Sequence, residues 1–127
     1  MKAIIIVGLP ASGKTTLANN LIKDNCFMLF DDVSVSEKLF SDMNDHIKSQ
    51  KDLVITDPYI CLKNVQDVLK NKLIGYDIEW IYFENDPNQC LINASFRDKK
   101  VDGLIKNLSK QYYMPNQVVP MKVFSND

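Results

Sequence analysis

"AIIIVGLPASGKTTLANNLI", residues 3–22, passes from an unbroken apolar run through a glycine-bounded loop into an amphipathic stretch. Residues 3–7 are rich in Ile and show no polar alternation, the pattern of a parallel strand covered on both faces. Leu17, Leu21 and Ile22 then fall on one face at helical spacing. Gly8 and Gly13 bound the loop between them. A buried strand feeding a helix through such a loop is one βα unit of a parallel sheet.

Gly8-x-x-x-x-Gly13-Lys14-Thr15 in that setting is the P-loop, or Walker A, pattern. The glycines let backbone N–H groups turn inward around a phosphate without a Cβ in the way. The helix beginning near Lys14 aims its positive end at the same place. Lys14 supplies a point charge to the β- and γ-phosphate oxygens, and the Thr15 hydroxyl can ligate Mg²⁺. Gly8, Ser12, Gly13, Lys14, Thr15 and Thr16 are the expected nucleotide-binding residues, and ATP with Mg²⁺ the expected occupant. A glycine turn beside a surface lysine would match the same pattern, but not between a buried strand and an amphipathic helix.

The rest of the chain continues the alternation. "CFMLF", residues 26–30, reads as a second strand ending at Asp31-Asp32. Ser34 and Glu37 form a capping box for a helix that carries Val35, Leu39, Met43 and Ile47. "LVIT", residues 53–56, is a third strand, stopped by Asp57-Pro58. Val65, Leu69 and Leu73 mark a helix closed by Gly75. "IEWIYFE", residues 78–84, is a fourth strand. Helices follow around residues 88–96 and along Val101, Leu104, Ile105, Leu108 and Tyr112. "QVVPMKVF" reads as a last strand at an edge, because Pro120 cannot donate to a ladder. The expectation is one α/β domain over residues 1–127: a three-layer P-loop NTPase fold, its parallel sheet covered by helices on both faces, with a short helical lid near residues 88–103. Ligands gather outside the carboxyl ends of such strands, which brings the P-loop, Asp31-Asp32, Asp57 and the segment after Glu84 to one edge.

Composition narrows the chemistry. With 127 residues, 46% apolar and 24% charged, the chain has the makeup of an ordinary soluble domain with its own core. A net charge of −1 gives no general pull toward nucleic acid. Of 15 cationic residues only Arg97 is a guanidinium. Cys26, Cys61 and Cys90 lie in apolar contexts without CxxC spacing, which reads as buried free thiols in a reducing cytoplasm. The N-terminal apolar run breaks at Gly8, too early for a signal peptide or membrane span. His46 reads as a surface residue, and no cluster has metal-ligand spacing.

Several stretches resemble the small P-loop kinases typified by bacteriophage polynucleotide 5′-hydroxyl kinase. They are "GLPASGKTT", the acidic pair in "FDD", "ITDP" after the third strand, and "NDPNQCLINASFRDKKVDGLIKNLSKQY". The resemblance covers most of the chain, up to about Tyr113. It implies a general-base role for Asp31 and a place for Arg97 beside the transferring phosphoryl group. The acceptor it implies is a nucleic-acid 5′-hydroxyl or a hydroxylated DNA base. The chain departs from the family where the acceptor phosphate is held. Phe30 and Ser34 stand where the family has arginines, Asn93 replaces a second lid arginine, and "TDPY" replaces "SDTN".

The residues themselves leave alternatives. A carboxylate at a strand's carboxyl end can take an acceptor's proton; Asp31 fills that role, or Asp32 if the strand runs one residue further, while both could simply be turn residues. Asp57 is a candidate magnesium ligand or a turn starter. Arg97 is the one side chain able to grip a phosphoryl group in a bidentate way. Tyr59 is a candidate for stacking on an acceptor, while Trp80, Tyr82 and Phe83 read as core. Three functions fit: a kinase acting on nucleic acid, a small-molecule or nucleotide kinase, and an ATP-binding module without turnover. Oligomeric state is not legible.

Overall fold

The computed structural model describes residues 2–23, 28–31, 52–96 and 101–125. Strands β1 (Lys2–Val7), β2 (Met28–Asp31), β3 (Leu53–Thr56) and β4 (Asp77–Tyr82) form one parallel sheet in the order β2-β3-β1-β4. Helices α1 (Lys14–Lys23), α2 (Lys63–Lys72), α3 (Pro87–Ala94) and α4 (Asp102–Gln111) accompany it, and a 3-10 turn (Pro58–Cys61) precedes α2.

The central strand explains the layers. Successive side chains of a strand point to opposite faces, and every apolar residue of β1 is buried. Ala3, Ile5 and Val7 join the larger core, with Leu69 of α2, Cys90 and Ala94 of α3, and Ile105 and Leu108 of α4. Ile4 and Ile6 face the other way, onto Ala18, Leu17, Leu21 and Ile22 of α1. The result is the expected three-layer α/β arrangement.

Register decides what reaches the ligand edge. Ile6 pairs with Thr56, Thr56 with Asp31, and Val7 with Tyr82. The carboxyl ends of all four strands therefore finish level, beside the loop that follows Val7.

The elements differ from their expected bounds in three places. The strand placed at residues 26–30 is described from Met28 and includes Asp31. β4 is only half covered, with Asp77 and Glu79 exposed and Glu79 paired to Lys2 at 2.9 Å. It lies at the end of the strand order, so one face and one edge are less protected; Trp80 still packs on the core and stacks with Tyr82 at 6.1 Å. The last strand shrinks to one parallel bridge, Phe83 with Met121, outside β4. Pro120, just before it, brings no N–H to extend the ladder. Gly75 does lie in the left-handed region (φ 96°), just past the end of α2.

The helix expected to follow Ser34, together with His46 and Cys26, lies outside the described residues. Cys61 and Cys90 are buried free thiols. Among the described residues no helix is long and apolar enough to cross a membrane.

Candidate active site

The P-loop is shaped by two left-handed residues. The Ser12 N–H donates to the Leu9 carbonyl at 3.2 Å, closing a four-residue turn with Pro10 second and Ala11 third. Ala11 has φ 66°, the positive value a type II turn demands at that position, and Pro10 supplies the fixed φ before it. Gly13 follows at φ 108°. Gly8 has no room for a side chain: a Cβ there would lie 2.6 Å from Ser12 Oγ and 3.1 Å from Phe83 Cβ.

Two polar groups are buried inside this turn. Ser12 Oγ is fully buried and has no hydrogen-bond partner among the described residues. Lys14 is 5% exposed, and its Nζ donates to the Leu9 carbonyl at 2.9 Å. A buried hydroxyl without a partner is rare, because leaving one unmade costs about 1–3 kcal/mol. Here it sits against a glycine cradle, beside an ammonium group and the first turn of α1, which carries no acidic residue. Those features fit a polyphosphate: a glycine cradle, a cation, a spare hydroxyl and a helix end favouring anions.

Thr15 and Thr16 lie exposed in the first turn of α1. Asp57, directly after β3, is 1% exposed, and its Oδ1 accepts from the Tyr59 N–H at 2.8 Å. Since Ile6 pairs with Thr56, Asp57 stands one strand away from the Val7–Gly8 junction. Hard oxygen donors of the Thr15 and Asp57 kind suit Mg²⁺. The backbone of Asp31 ends β2 one strand further out. Tyr59 is 44% exposed in the 3-10 turn at the same edge. Asp32 and Arg97 lie outside the described residues, as do Lys99 and Lys100.

Several residues at the site were not singled out by sequence. The Tyr112 hydroxyl lies against the carbonyls of Phe83 and Val7, at the point where β1 enters the loop. Burial raises its pKa well above the usual phenol value, so it remains a donor. Burial also pushes the Cys61 and Cys90 thiols up to about 12, against the opposing pull of the nearby Lys14 ammonium. Asn93, noted in the sequence only as a replaced arginine, is fully buried and reaches the loop at Ala11. The rest of α3 is equally part of the body, through Cys90 and Ala94.

No family model matches the chain. The uncharacterised protein R277 of Acanthamoeba polyphaga mimivirus is 33% identical over 108 residues, which span 81% of this chain and 78% of that protein. Among solved structures, a gluconokinase from Sinorhizobium meliloti has a TM-score of 0.70 at 10% identity, over 96% of this chain and 82% of that one. A sugar kinase from a Janibacter species has 0.69 at 12%, over 97% and 83%. Kti12 of Chaetomium thermophilum, solved in complex with ADP-AlF3, has 0.67 at 17%, over 98% and 89%. The structural likenesses show the P-loop NTPase fold, which is also that of these kinases. On the sequence likeness, the chain belongs to the family of the mimivirus protein R277.

Proposed function

We propose that the chain is a P-loop kinase that moves the γ-phosphoryl group of ATP onto a hydroxyl. The observation that carries this is the alignment along one sheet edge of a buried-lysine P-loop, the buried Asp57 next to it, and the end of β2 at Asp31 beyond. Adjacent strands lie about 4.8 Å apart, so the end of β2 lies roughly 10 Å from that of β1 across the end of β3, a span that can seat an acceptor above the sheet edge between phosphate and base.

Each residue then has a task. The loop amides, Ser12 and Lys14 hold the phosphate chain, with Thr16 in the same helix turn. Thr15 and Asp57 would hold Mg²⁺, whose contribution when bound is to neutralise charge on the phosphate oxygens. The Asp31 carboxylate takes the acceptor's proton as its oxygen bonds to the γ-phosphorus and the bond to the ADP oxygen breaks. Arg97 spreads its charge over the group in transit. Positioning and charge supply most of what phosphoryl transfer needs.

The favoured acceptor is a nucleic-acid 5′-hydroxyl or a hydroxylated DNA base, on the resemblance to polynucleotide kinases. A small hydroxylated molecule is the second candidate. It is supported by the single arginine of the chain and by the gluconokinase and sugar kinase among its structural neighbours. The deciding experiment supplies γ-labelled ATP and Mg²⁺ with dephosphorylated oligonucleotides, sugars and sugar acids, or nucleosides in separate arms. Label transfer in one arm names the acceptor class, and Asp31→Asn should abolish it. Tight ATP binding with no transfer in any arm would overturn the kinase assignment and leave a nucleotide-binding module.

A further inference from the structure

We propose that Asn93 is a positioning residue for the phosphate-binding loop, acting together with the segment at residues 121–125. It rests on the nucleotide-binding reading of that loop and adds what holds the loop in its binding shape.

Asn93 is 0% exposed and uses its whole amide. Its Nδ2 donates to the Ala11 carbonyl at 2.9 Å and to the Phe124 carbonyl at 2.7 Å, while Oδ1 accepts from Gln89 Nε2 at 3.0 Å. Turning the amide over would set its oxygen against two carbonyls, so the network fixes its orientation. The Phe124 N–H reaches the Ser12 carbonyl at 3.4 Å, a long and weak contact. The Phe124 ring covers Gly13 so closely that a Cβ there would lie 3.1 Å from Cδ1. The segment is anchored on its own account. Met121 bridges to Phe83, the Val123 N–H donates to Glu84 Oε1 at 3.2 Å, and the Val123 side chain is buried.

Two consecutive loop carbonyls, Ala11 and Ser12, are thus tied from outside. In a trans peptide the next N–H points opposite to the carbonyl. Holding these carbonyls outward therefore sets the two amides that follow them: that of Ser12 closes the turn onto the Leu9 carbonyl, and that of Gly13 is directed to the inner side of the loop. An alanine at φ 66° does not keep that shape unaided, because the left-handed region is disfavoured for it. Donors already aimed at the ligand bind it better than donors that must reorient first. If helix packing were the only requirement at position 93, an apolar side chain would meet it. A satisfied amide aimed at the loop's left-handed residue adds an oriented tie that packing cannot give.

The test measures binding of ATP–Mg²⁺ and of inorganic tripolyphosphate–Mg²⁺ by calorimetry, well below the unfolding temperature. The proteins are wild type, Asn93→Leu and Leu108→Ala, the last a core truncation on α4 that serves as a stability control. Asn93→Leu should weaken both ligands about tenfold, the scale of one lost buried hydrogen bond. It should also shift the Ser12 and Gly13 amide resonances. Leu108→Ala should lower the melting temperature while leaving both affinities within about twofold. Asn93→Leu binding as well as wild type, with unmoved resonances, overturns the positioning role alone. Wild type binding neither ligand overturns the nucleotide reading and this inference with it. Should Asn93→Leu fail to fold, Phe124→Pro removes the amide and the ring from a 39% exposed position and should weaken both ligands several-fold; unchanged affinity there overturns the proposal.

Discussion

Ala11 holds a backbone conformation that costs an L-alanine about 1–2 kcal/mol, and it does so inside the loop that the whole site is built around. Strain at such a position is kept when the surroundings impose it. Ala11→Gly should release it. Part of the gain is returned because glycine gives the unfolded chain more freedom, so the melting temperature should rise by only about 2–4 °C. A lower melting temperature would mean that the strain is smaller than the sum of glycine's added freedom in the unfolded chain and the packing of the lost methyl group. Lys14 poses the opposite case, a charge buried at 5% exposure beside the same loop. Lys14→Met keeps the apolar stem and removes the ammonium. Burying a charge carries a desolvation cost, so stability should be held or slightly raised, while ATP affinity falls by at least about tenfold. Calorimetry and thermal melts on the same sample separate the two effects. Binding and stability collapsing together would assign Lys14 to the scaffold.

Among the elements, what could be read in advance was whatever repeats locally. The stripe of Val65, Leu69 and Leu73 announced α2, and Leu69 and Leu73 are indeed fully buried. The apolar run of residues 3–7 and the "LVIT" stretch announced buried strands, because a parallel strand shows its burial in its own composition. Gln66, in the middle of α2, announced nothing. Yet it is 0% exposed: its Nε2 donates to the carbonyls of Ile60 and Tyr113, and its Oε1 accepts from the Tyr82 hydroxyl at 2.7 Å. The partners of that amide lie on β4, in the 3-10 turn and after α4, 6 to 47 residues away. No local period encodes such a set. Asn93 was opaque for the same reason, since its loop and tail partners are 82 and 31 residues distant. The P-loop was legible because its chemistry is contiguous; the residues that support it were not. Gln66→Leu should therefore cost about 2–4 kcal/mol, seen as a lower urea midpoint, because it strands two carbonyls and a buried phenol. Adding Tyr82→Phe to Gln66→Leu should cost less than it does alone, since the phenol would already have lost its acceptor. Full additivity would show that the amide and the phenol are energetically independent.

For the molecule as a whole, one sheet edge gathers the loop, Asp57, Asp31 and the Tyr112 hydroxyl, while the neutral groups beneath it set a limit on the alkaline side. Cys61 and Cys90 are both 0% exposed, and burial pushes each thiol from 9 up to about 12. Burial likewise pushes the Tyr82 phenol from 10 up to about 12 and raises Tyr112. In every case the folded protein holds its proton more firmly than the unfolded chain. Below about pH 9 both states are protonated, and the contribution of these groups is fully present. Above it the unfolded chain ionises first, so stability falls with rising pH until the folded groups titrate near 12. Each group in that window removes roughly 1.4 kcal/mol per pH unit, a slope set by the proton it alone retains. Urea midpoints for this protein should be level between about pH 7 and 8.5 and decline from about pH 9. The thiols titrate one unit before the phenols in the unfolded chain, so they own the first part of the decline. Replacing both Cys61 and Cys90 by Ala should lower the plateau but postpone the onset toward pH 10, where the tyrosines take over. An unchanged onset near pH 9 in that double variant would mean that the two thiols ionise as readily in the folded protein as in the unfolded chain, and that the interior under the loop is wetter than their burial implies.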